Sequence, residues 1–347
     1  MVYVLIFRGQ KHVDIQLFLY TPIRKAIPNH YFIHLSNLVV FNRIIRDEIM
    51  RLAHLILAHK DPLHIKRLSN KLATFSDVFI HVDGKADISP FLNDLADCPN
   101  IYFTDSRYRC DWAGWGCVEG TIALIRRALN ENKYDRLVFL QGLDYPLKAP
   151  HELLKYFEDN RNTEFIRACR ISESNDYYFS SRCKSYWFYT NRNFIKRCAN
   201  FITKKTRLRL RKGFIKDDKR YDVYWGCAQW ALTGNCASLI LGFHDNHPNF
   251  NDWFYHSFPS DELYFHTIVF NSRYAANTIY GGAEPEKAGL VNWRNLHYFE
   301  YADQIKIFTK DDYPFLINRP EFYIRKVTTE LSKDLLDMID CAHSDVN

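Results

Sequence analysis

The chain of 347 residues lacks several features that would place it in a specialised class of protein. No run approaches the roughly 20 consecutive apolar residues that a membrane-spanning helix needs. The amino terminus lacks the charged, apolar and small-residue regions of a signal peptide. The nine cysteines are odd in number and show no metal-like spacing, which favours reduced thiols over a disulfide framework. From these absences we expect a cytoplasmic protein.

The chain also lacks a Gly-x-Gly-x-x-Gly turn after any early strand-like segment, which argues against an enzyme that binds a dinucleotide or a methyl donor. What it has is a hydrophobic content of 47%, enough to bury a substantial core in one large domain or two intimate ones. Aromatic residues make up 16% of the chain, and their flat rings suit pockets that stack on sugars or bases. Many of these rings will simply be core residues.

Strand-like and helix-like segments alternate between residues 51 and 160. The strand-like runs are 52–58, 78–82 and 137–141, and the helix-like runs are 62–72 and 116–132. Each strand-like run is followed by polar residues, and the last by a Gly-x-Asp-x-Pro turn that contains Asp144. The pattern predicts an α/β fold, a mostly parallel sheet covered by helices, with a binding crevice at the carboxyl ends of the strands.

Two further elements are predicted downstream. Residues 223–233 have the pattern of an aromatic strand, and residues 261–270 that of a helix with Ser260 as its N-cap. In the first turn of that helix, Asp261 and Glu262 would complement the helix dipole, which is the simplest interpretation of two acidic residues there.

The first 49 residues differ from the rest, because their apolar patches have no sustained period and no clear caps. Met50, one of only three methionines, directly precedes the first predicted strand. We hypothesise that translation naturally begins at Met50, which mass spectrometry of the native amino terminus would test. The expected organisation is an atypical extension at 1–49, a domain at 50–328 and a helix or tail at 329–347.

Basic charge is concentrated in residues 204–220, which hold nine Lys or Arg against two Asp, a local +7 beside a formal +6 for the whole chain. A nucleic-acid-binding protein would spread such residues over a recognition element, so we expect no nucleic-acid partner. Two interpretations stay open. The segment is a solvated loop, or Arg207, Arg209 and Arg211 dock it on anionic lipid, where each basic residue contributes about 1 kcal/mol.

Five short blocks, taken in order, resemble the core-2/I-branching glycosyltransferase family, which includes the xylosyltransferases of proteoglycan synthesis. The blocks are 80–86 (Ile-His-Val-Asp-Gly-Lys-Ala), 112–115 (Trp-Ala-Gly-Trp), 142–148 (Gly-Leu-Asp-Tyr-Pro-Leu-Lys), 260–262 (Ser-Asp-Glu) and 325–326 (Arg-Lys). The resemblance covers about residues 51 to 328. It implies a GT-A-like, Rossmann-related fold and inverting transfer of a sugar from a UDP-sugar to an acceptor hydroxyl.

Glu262 matches the catalytic base of that family. An acceptor hydroxyl is a poor nucleophile until a hydrogen-bonded base accepts its proton, and one carboxylate suffices for a single displacement. The resemblance therefore implies that Glu262 reacts, and that Asp261 caps the helix or orients its neighbour.

The resemblance also implies a metal-independent reaction with no cofactor besides the donor. Many GT-A enzymes hold a divalent ion with an Asp-x-Asp motif, whereas the corresponding strand here ends in His81-Val82-Asp83, with a single carboxylate. Basic side chains must then stabilise the charge that develops on the leaving UDP.

Lys326 matches a family lysine that contacts the diphosphate, and Arg325 lies beside it. Without the resemblance, a solvated basic pair would be the simpler interpretation. A second diphosphate-binding arginine of the family does not transfer, because its spacing leads to Asp303. Arg294 is the candidate substitute.

Asp83 matches a position that binds uridine, where a carboxylate can accept hydrogen bonds from the uracil or the ribose. Trp112 replaces a family tyrosine beside the nucleotide and retains ring stacking, while Trp115 is the better candidate for a core residue. Asp144 would lie near the donor sugar, or would cap the turn before Pro146.

Trp293 matches a tryptophan that packs on the acceptor, although a lone tryptophan is more often a core residue. The family's other acceptor contacts fall within residues 171–219, which cannot be aligned. We expect a saccharide acceptor, such as a precursor of a surface glycan or capsule. The donor is expected to be UDP-N-acetylglucosamine, the alternatives being a xylosyltransferase and an inactive nucleotide-sugar-binding protein of the same fold.

Overall fold

The computed structural model describes residues 2–8, 13–19, 50–93, 95–216 and 219–344. The chain divides into two compact units, Met1–Ile49 and Met50–Asn347. In the first unit, strands β1 (Val2–Arg8) and β2 (Val13–Leu19) pair in an antiparallel sheet. The interpretations given above for residues 20–49, for the two aspartates at 217–218 and for the last three residues lie outside the described part.

The second unit contains the remaining strands and the helices. Its strands are β3 (Leu52–Ala58), β4 (Asp77–Val82), β5 (Ile101–Phe103), β6 (Arg136–Gln141), β7 (Asp144–Pro146), β8 (Cys169–Arg170), β9 (Ile215–Lys216), β10 (Lys219–Arg220), β11 (Tyr224–Trp225), β12 (Ala231–Thr233), β13 (His297–Tyr298) and β14 (Tyr323–Arg325). Its α-helices are α1 (Pro62–Leu72), α2 (Ser89–Leu92), α3 (Trp115–Glu131), α4 (Pro150–Asp159), α5 (Tyr177–Lys184), α6 (Phe194–Thr206), α7 (Gly234–Asn246), α8 (Pro248–Tyr255), α9 (Asp261–Phe270), α10 (Tyr313–Leu316) and α11 (Thr329–Ser344). Three short 3-10 helices span Arg273–Asn277, Leu290–Trp293 and Lys310–Asp312.

The central sheet has five strands in the order β12-β6-β3-β4-β5, and only β12 runs antiparallel to its neighbour. The chain proceeds outward from β3 to β5 and then returns to β6 on the other side of β3. The strand order therefore reverses between β3 and β6, which is where open α/β sheets bind ligands at their carboxyl edge. The predicted mostly parallel sheet covered by helices is confirmed, and its architecture is that of a GT-A-like fold.

Helices cover both faces of this sheet, which explains why its strands are continuously apolar. Every residue of β3 is buried. Leu55 faces a core that includes Val118 and Ile125 of α3, whereas Ile56 faces a second core with Ile65 of α1. The α1 helix has the predicted bounds, and α3 lies within one residue of them.

A second sheet of three strands, in the order β13-β14-β7, abuts the carboxyl edge of the first. The predicted Pro turn after β6 is therefore wrong in part, since Asp144–Pro146 is a strand that pairs antiparallel with β14. The register places Arg325 opposite Asp144. Gly142 permits the sharp passage between sheets, because a Cβ there would lie 3.0 Å from the Cα of Ala58.

Two other local predictions are corrected by the structure. The single aromatic strand predicted at 223–233 is two short strands in different sheets, because β11 pairs with β8 whereas β12 pairs with β6. Ser260 precedes α9 as predicted, but it is not a side-chain N-cap. Its hydroxyl instead donates to the carbonyl groups of Phe254 and Ser257.

The described part of the carboxyl-terminal segment belongs to the same compact unit. Leu335, Leu336 and Ile339 of α11 are buried in the core that also contains β14. Within the described residues, no helix combines the length and the apolar character needed to span a bilayer.

The pairing of Asp144 with Arg325 yields a prediction about stability. Asp144 has no exposed surface, and its Oδ1 accepts a hydrogen bond from Arg325 Nη1 at 2.8 Å. Breaking a buried ion pair leaves an unpaired charge, so Asp144→Asn should lower the free energy of unfolding by about 3–5 kcal/mol. Urea unfolding measures this.

The matched control is Asp159→Asn, which breaks a pair with Lys155 that is exposed on both sides. That loss should stay below about 1 kcal/mol. Equal and small losses in the two variants would show that the Asp144–Arg325 pair is not a structural constraint.

Candidate active site

Four basic side chains meet at the carboxyl edge where the strand order reverses. His59 and Lys60 directly follow β3, and Lys326 follows Arg325 at the end of β14. Partial burial, together with Arg325 and Lys60, lowers the pKa of Lys326. The pKa of His59 is also lowered, by partial burial and by the charges of Lys60, Arg325 and Lys326. The charge of Asp83 opposes this lowering. The cations therefore repel one another at this edge.

Only one of these charges is neutralised by a buried carboxylate. Burial opposes the ionisation of Asp144, but Arg325 and His297 outweigh it and lower the Asp144 pKa. His297 Nε2 lies 3.3 Å from Asp144 Oδ2. Within the described part of the chain, neither Lys60 nor Lys326 forms an ion pair with a carboxylate. These two ammonium groups are thus available to bind an anion.

Glu262 lies in the first turn of α9, where it is half buried. Its Oε2 accepts a hydrogen bond from Trp225 Nε1 at 2.8 Å. Burial and the adjacent Asp261 raise the pKa of Glu262, whereas Arg182 and the Trp225 hydrogen bond oppose that rise. A carboxylate with a raised pKa is a stronger base, which suits it to accept a proton near neutral pH.

Backbone geometry brings Trp225 to Glu262. The amide of Gly226 donates to the Glu262 carbonyl oxygen at 3.2 Å. A Cβ on Gly226 would lie 1.9 Å from the carbonyl oxygen of Arg167, so no other residue fits there without displacing the backbone. Trp225 itself is buried, which fixes the direction of its N–H.

The surroundings of Cys227 include the charges of both Glu262 and Arg325. Burial raises the pKa of Cys227 to about 12, with an added contribution from Glu262 and an opposing one from Arg325. The pKa of a second thiol, Cys117, is also raised, by a hydrogen bond with Cys110, by burial and by the charge of Asp261. The Cys227 thiol therefore lies within electrostatic reach of both Glu262 and Arg325.

Asp83 organises the loop after β4. Its Oδ1 accepts backbone N–H bonds from Lys85 at 3.0 Å and Cys110 at 3.1 Å. The ammonium of Lys85 lies 3.3 Å from Asp83 Oδ2 and 2.9 Å from Asp111 Oδ1. Asp83 is almost completely buried, so it shapes this loop directly, and its contact with uridine stays a prediction. Trp112, in the same loop, is 67% exposed.

A cavity of about 510 Å³ opens beside Trp225 within the segment that could not be aligned. Its lining residues are mostly aromatic or basic: Asp176, Tyr177, Tyr178, Ser181, Arg182, Trp187, Lys204, Arg207 and Phe258. The guanidinium of Arg182 lies over the rings of Tyr178, at 4.4 Å, and Trp225, at 4.6 Å. Trp112 packs edge-on against Phe258 with ring centroids 5.6 Å apart, which places it near this cavity.

Two predicted site residues lie elsewhere. Trp293 has no exposed surface, packs edge-on against Trp225 and donates its Nε1–H to the Lys287 carbonyl oxygen. A direct contact with an acceptor conflicts with that burial, so Trp293 is a core residue that supports Trp225. Arg294 donates to the Phe299 carbonyl oxygen and lies over the Tyr298 ring. Arg325 and Lys60 are the charges that lower the pKa of Lys326, and a contact of Arg294 with a diphosphate stays a prediction.

Two other predictions concern single residues. Trp115 is buried and donates to Glu119, so its assignment to the core is confirmed. Arg211 was expected to face a lipid surface, but it is buried and donates to the carbonyl of His256 and the hydroxyl of Ser257. That part of the lipid-docking interpretation is wrong.

Three residues that sequence reasoning missed complete the site. Lys60 could have been found, because it lies in the polar cluster directly after β3. Trp225 and Arg182 carried no local signal, since each reaches Glu262 only through the tertiary fold. Among the described residues, no three His, Cys, Asp or Glu side chains are placed to hold a metal ion together.

The sequence model of the core-2/I-branching enzyme family matches residues 52–313. The chain belongs to this family. One relative is named xylosyltransferase, from Ciona intestinalis, and is 20% identical over 308 residues, covering 84% of this chain and 34% of that protein.

A second relative, from Sus scrofa, is named probable beta-1,3-galactosyl-O-glycosyl-glycoprotein beta-1,6-N-acetylglucosaminyltransferase 7. It is 22% identical over 197 residues, covering 55% of this chain and 43% of that protein. The chain thus spans less than half the length of both family members. The family name and the names of both relatives are those of glycosyltransferases.

The raised pKa of Glu262 yields a prediction about stability. Ionised Glu262 is disfavoured in the folded state, so it destabilises the protein at pH values above its ordinary pKa. Glu262→Gln removes that charge but keeps an oxygen for Trp225, and should raise the melting temperature by about 2–4 °C, as expected for roughly 1 kcal/mol. Calorimetry near neutral pH measures the difference, which should vanish below the ordinary carboxyl pKa.

The matched control is Glu330→Gln, which changes an exposed glutamate in the first turn of α11 and should give no such rise. A lower melting temperature for Glu262→Gln would contradict the assignment of a strained, raised-pKa carboxylate.

Proposed function

We propose that this chain transfers N-acetylglucosamine from a UDP-sugar to a hydroxyl of a saccharide acceptor, with inversion at the anomeric carbon and without a metal ion. The observation that carries the proposal is that Glu262 has a raised pKa while Lys60 and Lys326, at the carboxyl edge of the sheet, form no ion pair with a carboxylate of the described residues. A single displacement needs a base on one side of the anomeric carbon and positive charge near the leaving group on the other.

Glu262 and the two lysines, Lys60 and Lys326, can each take a separate role in the reaction. Glu262 Oε1, the oxygen not engaged by Trp225, accepts the acceptor's hydroxyl proton while the hydroxyl oxygen bonds to the anomeric carbon. The bond from that carbon to the UDP oxygen breaks, and the electron pair leaves with UDP. Lys60 and Lys326 stabilise the negative charge that grows on the β-phosphate.

The side chains after β4 support a role for these lysines in place of a divalent ion. Hard cations beside substrate phosphates are normally held by carboxylates, but Asp83 and Asp111 share the ammonium of Lys85. The Oδ1 atom of Asp83 already accepts two backbone hydrogen bonds. This donor set suits a fixed lysine better than an exchangeable metal.

The cavity beside Trp225 is the proposed acceptor site. Tyr177, Tyr178 and Trp187 offer flat faces and polar edges of the kind that pack on sugar rings. Trp112, exposed between this cavity and the loop of Asp83, would lie at the junction of donor and acceptor. A precursor of a surface glycan or capsule is the acceptor class that we propose.

A second donor is favoured by one observation. The relative that matches the larger share of the chain, 84%, is named xylosyltransferase, whereas the relative named for N-acetylglucosaminyl transfer matches 55%. UDP-xylose is therefore the alternative donor. Competition between the two UDP-sugars in calorimetry separates them.

The proposed roles of Lys60 and Lys326 predict how UDP binds. Replacing either lysine with Met should weaken UDP binding about tenfold or more, because a hydrogen bond to a charged group contributes roughly 1.5–3 kcal/mol. Binding of uridine, which lacks phosphate, should change little. Titration calorimetry in excess EDTA measures both ligands.

Lys333→Met, at an exposed lysine of α11, is the matched control and should bind UDP like the unaltered protein. The assignment is refuted if UDP binds the two site variants normally, or binds only when manganese is added.

The proposed base predicts how transfer depends on Glu262. Glu262→Gln should lower kcat by about 10²–10⁴-fold, the usual contribution of a general base, with UDP affinity unchanged. In the unaltered protein, activity should fall as pH decreases through a pKa above the ordinary carboxyl range of about 4.3. Assays of sugar transfer or UDP-sugar hydrolysis in EDTA measure both.

Outcomes of that assay discriminate between the candidate functions. Full activity in Glu262→Gln would contradict the assignment of Glu262 as the catalytic base. Tight UDP-sugar binding with no turnover by the unaltered protein, over a panel of acceptors, would instead support a nucleotide-sugar-binding protein.

A further inference from the structure

Helix α6 turns its apolar side away from the protein. Phe194 is 79% exposed and Ile195 76%, and one to two turns later Phe201 is 61% exposed and Ile202 56%. Residues at these spacings share one face of a helix, and the exposed Cys198 lies between the two pairs. A surface helix of a globular protein normally buries such a face.

The opposite, inward side of α6 is polar and is held by hydrogen bonds. Asn200 accepts from the backbone amide of Phe188 at 2.8 Å and donates to its carbonyl oxygen at 3.2 Å. Thr203 donates to the Tyr186 carbonyl oxygen, also at 3.2 Å. These directional bonds fix the rotation of the helix, so the outward position of its apolar face is built into the fold.

Two more exposed apolar side chains follow the helix in sequence. Leu208 and Leu210 are both exposed, at 49% and 67%. Six large apolar side chains are therefore presented between residues 194 and 210. Contiguous exposed patches of this kind mark surfaces that meet another molecule or a membrane.

The charges around this surface favour one kind of partner. Residues 177–216 contain twelve Lys or Arg and no Asp or Glu. Arg197 and Lys205 are exposed on α6 itself, and Arg209 lies between the two exposed leucines. Two copies of the chain meeting through this face would oppose like charges, whereas an anionic lipid surface supplies both the apolar interior and the counter-charges.

We propose that α6 and residues 207–210, together the α6 face, lie in the interface of a membrane that contains anionic lipid. The apolar side chains enter the acyl-chain boundary and the basic side chains contact the head groups. Arg211 takes no part, because it is buried. The proposal concerns attachment, and its test changes no residue that lines the cavity proposed for the acceptor.

The test is sedimentation of the full chain with vesicles of equal parts phosphatidylglycerol and phosphatidylcholine, compared with vesicles of phosphatidylcholine alone. The protein should bind the anionic vesicles and bind the neutral ones at least tenfold more weakly. The paired change Phe194→Ser and Ile195→Ser should weaken binding to the anionic vesicles by at least tenfold, since both side chains are mostly exposed and dispensable for folding.

A matched control removes apolar side chains from another helix. Leu331→Ser with Met338→Ser changes two exposed residues of α11 and should leave vesicle binding unaltered. Arg197→Gln with Lys205→Gln should weaken binding and reduce its dependence on salt concentration. Circular dichroism and melting temperature verify that each variant is folded.

Two results would overturn the proposal. One is vesicle binding that is the same in the Phe194/Ile195 variant and the unaltered protein. The other is a protein that does not bind vesicles but forms a dimer in analytical ultracentrifugation, with the paired change dissociating that dimer. The α6 face would then join two copies of the chain.

Discussion

The repulsion between Lys60 and Lys326 is the constraint on which the candidate site depends. The strand order brings the end of β3 and the end of β14 to one edge, and partial burial there weakens the protonation of Lys326. Among the described residues, Asp144 pairs with the neighbouring Arg325, whereas no carboxylate pairs with either of these two lysines. Two ammonium groups in this arrangement suit an anion, and the anion that we propose is a diphosphate.

Glu262, the proposed base, has different surroundings from those lysines. Glu262 is held by the indole of Trp225, and Asp261 next to it disfavours ionisation. Arg182 moderates that effect from the side of the acceptor cavity. The same burial that makes Glu262 a better base makes it a destabilising residue, and this combination is expected of catalytic groups more than of structural ones.

The fold was predictable from local patterns to the extent that those patterns reflect burial. Strands that are buried on both faces have uninterrupted apolar sequences. The strands β3, β4 and β6 could therefore be recognised, together with the helices between them. The strands β7, β11 and β12 have only two or three residues each, and their partners are distant in sequence, so pattern alone merged or missed them. The resemblance selected Glu262 and Lys326, which the structure places in the first turn of α9 and directly after β14, and their common site stays a prediction.

The contacts of the remaining residues depend on tertiary packing, which the sequence does not reveal. Trp293 matches the family pattern, and Arg294 is the candidate substitute for an arginine that does not transfer. Trp293 nevertheless packs on Trp225 in the core, and Arg294 donates to the Phe299 carbonyl oxygen. Trp225 reaches Glu262 across 37 residues, a contact that no spacing rule predicts. The basic segment after α6 was interpreted from charge alone, and only the fold separates Arg211, which is buried, from the exposed residues beside it.

A crystal structure of the protein with UDP, grown in EDTA, tests the central claim most directly. The account predicts that Lys60 Nζ and Lys326 Nζ both lie within hydrogen-bond distance of the diphosphate oxygens, with Glu262 facing the position of the donor sugar. A diphosphate bound at another edge of the sheet, with both ammonium groups facing solvent, would contradict it.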